Sequence, residues 1–103
     1  MRILLKVQLG LEAGNAAARD GSLGRKIQMI LEQQKPEAAY FIEMEGKRTG
    51  IIVVDLPEPS DIPAIAEPWF LVFGASVEMH PAMTPADLAK AGPAMAAVVK
   101  KLA

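Results

Sequence analysis

Two neighbouring segments with the composition of β-strands constrain the fold more than any other feature of this chain. Residues 38–44 (AAYFIEM) and 48–55 (RTGIIVVD) are rich in β-branched and aromatic residues, which are enriched in strands. They flank Glu45-Gly46-Lys47, a glycine-containing connection of hairpin length. The sequence therefore predicts an antiparallel pair of strands at the centre of the chain.

A further strand and a helix are expected before this pair. Residues 2–9 (RILLKVQL) place Ile3, Leu5, Val7 and Leu9 on one face of a strand. Apolar residues then follow at the spacing of a helix face, with Asn15 as the expected N-cap and an end before Pro36; these residues are Leu23, Ile27, Ile30 and Leu31. Because Gly21 and Gly24 each cost a helix interior roughly 1 kcal/mol relative to alanine, either tertiary packing must support this helix or a kink must interrupt it.

A second helix and a fourth strand are expected after the pair. Residues 62–66 suit a short helix, which Pro68 should kink or restart before Gly74 ends it. Residues 75–80 (ASVEMH) alternate as a strand does.

The C-terminal region carries the signature of a helix start. Thr84, Pro85 and Asp87 occupy the N-cap, N1 and N3 positions. The Gly92-Pro93 pair should divide the following helical segment into two pieces.

This order of elements predicts an α+β fold, a ferredoxin-like βαββαβ sandwich with an added C-terminal helix. The chain of 103 residues is expected to form a single domain, 1–103, with strand order 4-1-3-2. Leu4, Ile52 and Val54, together with Tyr40, Ile42 and Met44, leave apolar groups on both sides of the sheet. Because so large an apolar face is unusual on a monomer, we expect a homodimer.

Two stretches carry a resemblance to a known family. Residues 62–70 (IPAIAEPWF) and 77–94 (VEMHPAMTPADLAKAGPA), with the order of elements and the length, resemble small uncharacterised bacterial proteins of the dimeric α+β-barrel (ferredoxin-like) superfamily. The resemblance covers essentially the whole chain and implies two protomers packed sheet against sheet. Distant members of the superfamily include cofactor-free monooxygenases, muconolactone isomerase-like enzymes, haem-degrading enzymes and ligand-sensing domains, and the fold alone does not choose among them.

Composition narrows the classes of partner. The net charge is −1, with acidic and basic residues interspersed, so no broad positive field favours nucleic acid. The chain has no cysteine and one histidine, which predicts no disulfide and no thiolate or histidine-rich metal site. We expect neither a bound metal nor a cofactor. The opening MRILLKVQLGL is too short to span a bilayer and shows no convincing cleavage site. We therefore expect a soluble, cytoplasmic protein that does not bind membranes.

A stripe of polar residues marks the candidate site. Ser76, Glu78 and His80 share one face of the fourth strand, and Lys6 and Gln8 should face the same way from the neighbouring strand. One interpretation is a pocket in which Glu78 and Lys6 orient a ligand and His80 acts as an acid or base. The other is a cross-strand salt bridge beside a surface or interface histidine. Tyr40 and Trp69 would line the ligand cavity, although Trp69 also fits a core or interface position.

Two functional classes are therefore predicted. The first is a homodimeric protein that binds or senses a small organic molecule between the sheet and its partner subunit. The alternative is a cofactor-independent enzyme, an isomerase or a monooxygenase-like protein, in which His80 and Glu78 are the catalytic residues. A dimer with a purely structural role, without ligand binding or catalysis, is the third possibility.

Overall fold

The computed structural model describes all residues, Met1–Ala103, as four β-strands and five α-helices. In chain order these are β1 (Arg2–Gln8), α1 (Leu11–Asp20), α2 (Leu23–Gln34), β2 (Ala38–Met44), β3 (Lys47–Asp55), α3 (Ile62–Phe73), β4 (Ser76–Pro81), α4 (Pro85–Lys90) and α5 (Gly92–Leu102). The α+β class predicted from the sequence is confirmed.

The four strands form one antiparallel sheet in the order β2-β3-β1-β4, which is the predicted order and is compatible with a ferredoxin-like fold. The β2–β3 hairpin closes through only two residues, Glu45 (φ 58°) and Gly46 (φ 73°). Positive φ at both positions is typical of a type I′ turn. This tight turn lets Lys47 pair with Met44, so β3 begins one residue earlier than the composition indicates.

The core lies between one face of the sheet and the helices. Leu5, Val7 and Ile52 point toward the helices and are fully buried. The rings of Trp69 and Phe73 on α3 stack against each other with centroids 6.2 Å apart and are buried in the same cluster. We call the opposite side of the sheet, which no helix covers, the open face.

The first helical region differs from the single helix predicted. It consists of two helices that are separated at Gly21, whose φ of 81° ends α1 in the left-handed conformation. The expected kink is thus a complete break. The predicted N-cap is wrong, because Asn15 lies inside α1 and its Oδ1 accepts a hydrogen bond from Arg48 Nη1 at 2.9 Å.

Gly10, the residue just before α1, lies at a close approach between two backbones. The Gly10 N–H donates to the Phe73 carbonyl at 3.0 Å, and a Cβ on residue 10 would lie 2.7 Å from that oxygen. Only glycine fits at this junction without a shift of the backbone.

Helix α3 also differs from its prediction, because it runs without interruption through Pro68. Proline removes one hydrogen bond, to the carbonyl four residues earlier; that residue, Ala64, is exposed, so water can replace the lost donor. Burial of Ile65, Trp69 and Phe73 along one side holds the helix in line. Gly74 ends it with φ 54°, as predicted.

The last two helices form an arm that projects from the body. We call residues Pro85–Leu102 the arm; they include α4 and α5, and neither helix has a buried residue. The molecule measures 59 × 28 × 20 Å, with a radius of gyration of 17.1 Å, whereas about 13 Å is typical of a compact chain of this length. The predicted division into two helices is confirmed, with the interruption at Ala91.

The predicted helix start at Thr84 is confirmed as a capping box. Asp87 N–H donates to Thr84 Oγ1 at 3.1 Å, and Thr84 N–H donates to Asp87 Oδ2 at 3.0 Å. The two hydrogen bonds with Thr84 hold the pKa of the Asp87 carboxyl below its ordinary value of 3.8, and Arg2 contributes further. The carboxylate therefore strengthens the cap above about pH 3.8, and this contribution is lost as the pH falls through the lowered pKa.

Thr84→Ala should destabilise α4 locally by about 1 kcal/mol, because it removes the N-cap hydroxyl. Asp87→Ala should have a smaller effect, because Thr84 and Pro85 remain. Since α4 packs on nothing in the core, the melting temperature should change little. Amide exchange of residues 86–90 is the measurement, and faster exchange in Asp87→Ala than in Thr84→Ala would contradict the predicted ranking.

No helix combines the length and the apolar character needed to cross a bilayer.

Candidate functional site

The predicted polar stripe lies on the open face, at the boundary between β1 and β4. In the sheet register Lys6 is opposite Glu78, and Gln8 is opposite Ser76. Residues that are directly opposite in an antiparallel pair point to the same side of the sheet. His80, opposite Leu4, completes the stripe on this face, as the period of two predicts.

Glu78 lies between a cation and the imidazole. Its Oε2 is 3.4 Å from Lys6 Nζ, and its Oε1 is 3.3 Å from His80 Nε2. The side chains of Glu78 and His80 are more than half exposed, while that of Lys6 retains 21% of its accessible surface. Lys6, Glu78 and His80 therefore form a continuous chain of polar contacts, and Lys6, the most buried of the three, lies on β1.

Glu45 is a fourth member that sequence reasoning missed. Its Oε1 lies 2.9 Å from Lys6 Nζ, closer than Glu78 does, and it accepts a longer hydrogen bond of 3.4 Å from Gln8 Nε2. The sequence feature that could have identified Glu45 is the short hairpin connection, because its two-residue turn holds Glu45 at the end of the open face. We call Lys6, Glu45, Glu78 and His80 the polar cluster.

The charges of Lys6 and Glu45 stabilise each other. The hydrogen bond from Lys6 to Glu45 is the main cause that raises the pKa of Lys6 above its ordinary value of 10.5, and Glu78 adds to it. The same hydrogen bond is the main cause that lowers the pKa of Glu45 below its ordinary value of 4.5. Near neutral pH Lys6 is therefore an ammonium group, suited to orienting an anion and not to accepting a proton.

We expect Lys6→Met to return the titration of the Glu45 carboxyl toward its ordinary value. The pair contributes stability from about pH 4.5 to about pH 10.5. This contribution is lost as the pH falls through the lowered pKa of Glu45 or rises through the raised pKa of Lys6. The measurement is ¹³C NMR titration of the Glu45 side-chain carboxyl in the parent protein and in the variant, with Lys100→Met, on α5, as the matched control. Identical Glu45 curves in the parent and Lys6→Met would contradict the pairing.

An apolar band lies beside the polar cluster on the open face. It contains Leu4 on β1, Ile51 and Val53 on β3, and Tyr40, Ile42 and Met44 on β2. Ile52 and Val54 were expected in the set that leaves both sides of the sheet apolar, but they lie on the helix side, where both are buried. Tyr40 is 67% exposed, so the band reaches solvent across its outer edge.

Trp69 is not part of this site. It is fully buried on the helix side of the sheet, and its Nε1 donates to Gln34 Oε1 at 3.3 Å. The structure thus assigns it to the core, the second of the two positions its sequence fits. The other predicted site residues lie on the open face.

A cleft opens at the hairpin end of the sheet, with a volume of about 920 Å³. Gln8, Ser76, Glu45 and Ile42 line it from the open face, while Lys6 and His80 lie outside its lining. The remaining walls come from Leu9, Gly10, Leu11, Asn15, Glu43, Gly46, Lys47, Arg48 and Gly74. Sequence reasoning missed Asn15 and Arg48, whose side chains are joined by the hydrogen bond described above.

No three His, Asp or Glu side chains are grouped so that they could hold a metal ion.

Fold and site together define an α+β protein whose four-stranded sheet presents one uncovered, partly apolar face with a charged cluster beside a cleft. Comparison of the sequence with protein-family models and with curated proteins finds no match to either.

Proposed function

We propose that this chain is a member of the dimeric α+β-barrel superfamily and that it acts as a homodimeric protein that binds or senses a small organic molecule between the paired sheets. The observation that carries this proposal is the open face, where an apolar band and a charged cluster lie side by side next to a cleft. The protein is proposed to work in the cytoplasm without a cofactor.

The apolar band supports the dimer. Side chains from three adjacent strands form one continuous apolar surface on a sheet that no helix covers. Two such sheets pack face to face at about 10 Å, and their side chains interdigitate. A second copy offers the same apolar surface, so the two faces complement each other about a two-fold axis.

The cleft and the polar cluster support the binding of a ligand. Pockets for small molecules measure about 300–1,000 Å³ and combine apolar walls with a few polar groups, and the cleft falls in this range. Leu9, Leu11 and Ile42 supply apolar wall, while Lys47 and Arg48 supply cations. Glu43 and Glu45 also line the cleft, but Glu45 is paired with Lys6 and Glu43 accepts from the Gly46 N–H. Because neither Lys47 nor Arg48 is in an ion pair, these free cations favour a small aromatic or aliphatic carboxylate.

Ligand-observed NMR with benzoate as the probe tests this proposal. We expect benzoate to bind the parent protein and to lose at least about tenfold in affinity when Ser76→Phe fills the cleft, a change of 1.4 kcal/mol. Met29→Phe, on the outer side of α2, should leave binding unchanged. Absence of binding to the parent at millimolar benzoate, or equal binding to both variants, would contradict the cleft as the site.

The alternative is a cofactor-independent enzyme, an isomerase or a monooxygenase-like protein, and the contact between Glu78 and His80 favours it. A carboxylate that orients an imidazole is a recurrent arrangement for acid–base chemistry. In this alternative His80 transfers the proton, while Glu78 and Lys6 orient the imidazole of His80 and the substrate. The test is deuterium exchange at the activated carbon of acetylacetone in D₂O. Exchange faster than in buffer and lost in His80→Gln would support an enzyme, and exchange no faster than in buffer would contradict it.

A further inference from the structure

The arm carries an apolar stripe that nothing in its own chain covers. Met95, Val98, Val99 and Leu102 follow the i, i+3, i+4, i+7 spacing of one helix face, and each is more than half exposed. Leu88 continues the stripe one heptad earlier on α4. Lys101, three residues after Val98 on α5, borders this stripe, and Lys90 ends α4; neither lysine is in an ion pair.

The arm is helical across its junction and holds this stripe away from its own body. Ala91, between α4 and α5, is itself helical (φ −78°, ψ −11°), and the helical hydrogen bond from Met95 N–H to the Ala91 carbonyl spans the junction at 3.0 Å. Residues 85–102 therefore form a bent rod about 27 Å long. Its start is fixed to the body by Ala82 N–H, which donates to the Arg2 carbonyl at 3.1 Å.

The outer face of α3 complements this stripe. We define the α3 outer face as Pro63, Ala64, Glu67, Phe70 and Leu71, all of which are exposed. Leu71 is 80% exposed, more than any other large apolar side chain of the chain. Glu67 lies within this face and Glu58 and Asp61 lie at its N-terminal end, and none of these carboxylates is in an ion pair.

We propose that the arm of one copy docks on the α3 outer face of a second copy. Apolar groups meet apolar groups in this contact, and the unpaired lysines of the arm meet the unpaired carboxylate of Glu67, which lies beside Phe70 and Leu71. The two surfaces are therefore alike in their apolar groups and opposite in charge. The contact lies on the helix side of the sheet, so it goes beyond the open-face dimer and is separate from it.

Cysteine cross-linking tests the contact directly, because the chain has no cysteine of its own. Val99→Cys in ¹⁵N-labelled protein is mixed with unlabelled Leu71→Cys protein, and a short bismaleimide joins thiols that lie close together. Mass spectrometry then identifies products with one labelled and one unlabelled copy. We expect this product at a yield several-fold above that of the matched control, in which Met29→Cys replaces Leu71→Cys.

Three results would overturn the proposal. The first is a yield no higher with Leu71→Cys than with Met29→Cys. The second is a link formed within one copy in the Leu71→Cys/Val99→Cys double variant, which would place the arm on its own body. The third is preferential linking of Val99→Cys to Tyr40→Cys, which would place the arm on the open face.

A second comparison separates this contact from the open-face dimer. Tyr40→Glu, introduced into both cysteine variants, should disrupt the open-face dimer and leave the Val99–Leu71 link. Glu67→Lys, introduced instead, should reduce the link several-fold, because it places like charges together. Loss of the link in Tyr40→Glu, or its retention in Glu67→Lys, would contradict the docking surface proposed.

Discussion

Replacing Tyr40 by glutamate should convert the protein from a dimer to a monomer at micromolar concentration. Tyr40 is the most exposed large apolar residue of the open face, so the substitution leaves the fold of one protomer intact. In the proposed dimer the new carboxylate is buried without a partner, twice per dimer by symmetry. A buried unpaired charge costs about 3–5 kcal/mol, so we expect dissociation to become at least 100-fold more favourable, since about 2.7 kcal/mol corresponds to that factor.

Light scattering and sedimentation over a range of concentrations measure this effect. Met29→Glu is the matched control, because Met29 has similar exposure (57%, against 67% for Tyr40) but lies on α2, away from the open face. It should leave the dimer constant unchanged. A parent protein that is a stable monomer, or equal weakening by both substitutions, would contradict the open-face dimer.

Trp69→Ala should have the largest effect on the stability of the fold. Trp69 is fully buried, stacks with Phe73 and donates a hydrogen bond to Gln34. Removing a core tryptophan costs about 3–5 kcal/mol, from lost burial and the cavity that remains. Because a domain of this size is stable by only about 5–15 kcal/mol, this loss removes a large part of the total.

Denaturant unfolding measures the loss, and two variants define its origin. Trp69→Phe keeps an aromatic ring but leaves Gln34 without its donor, so its cost should lie well below that of Trp69→Ala. Met29→Ala, at an exposed position, should change the free energy of unfolding by no more than about 0.5 kcal/mol. A small effect of Trp69→Ala, near that of Met29→Ala, would contradict the central place of Trp69 in the core.

The proposed function and the arm contact depend on different surfaces of the chain. A ligand site between sheets depends on the open face and its polar cluster, whereas the arm contact depends on α3 and α5. Substitutions that disrupt only the arm contact will show whether ligand binding needs only the open-face dimer. In that case variants in the stripe of α5 will bind benzoate as the parent does.

Local signals in the sequence predicted most of the elements and the direction of the strand faces. Alternation in residues 2–9 correctly assigned Ile3, Leu5 and Val7 to the core, since a strand turns successive side chains to opposite sides. The capping box at Thr84 and the helix end at Gly74 were also predicted correctly. These features depend on residues within one turn of each other, so the rest of the fold has little influence on them.

The candidate site was predicted in part. The period of two placed Lys6, Glu78 and His80 together on one face, and the structure confirms this placement. The period of two could not identify Glu45, because this closest partner of Lys6 lies on a turn between two other strands. The distance between them depends on the type of turn and on the order of strands, which no local pattern encodes.

What the sequence determined by itself is therefore most of the elements, their order along the chain and the faces of β1 and β4, because steric and hydrogen-bonding preferences of neighbouring residues are sufficient for these. Tertiary structure decided the rest. The buried side of α3 holds a helix through Pro68, which local preference would have broken, and it takes Trp69 into the core. The carbonyl of Phe73 requires glycine at position 10, immediately before α1. Packing between distant segments made these decisions, because the free energy of burying Trp69 and its neighbours exceeds the cost of one lost backbone hydrogen bond.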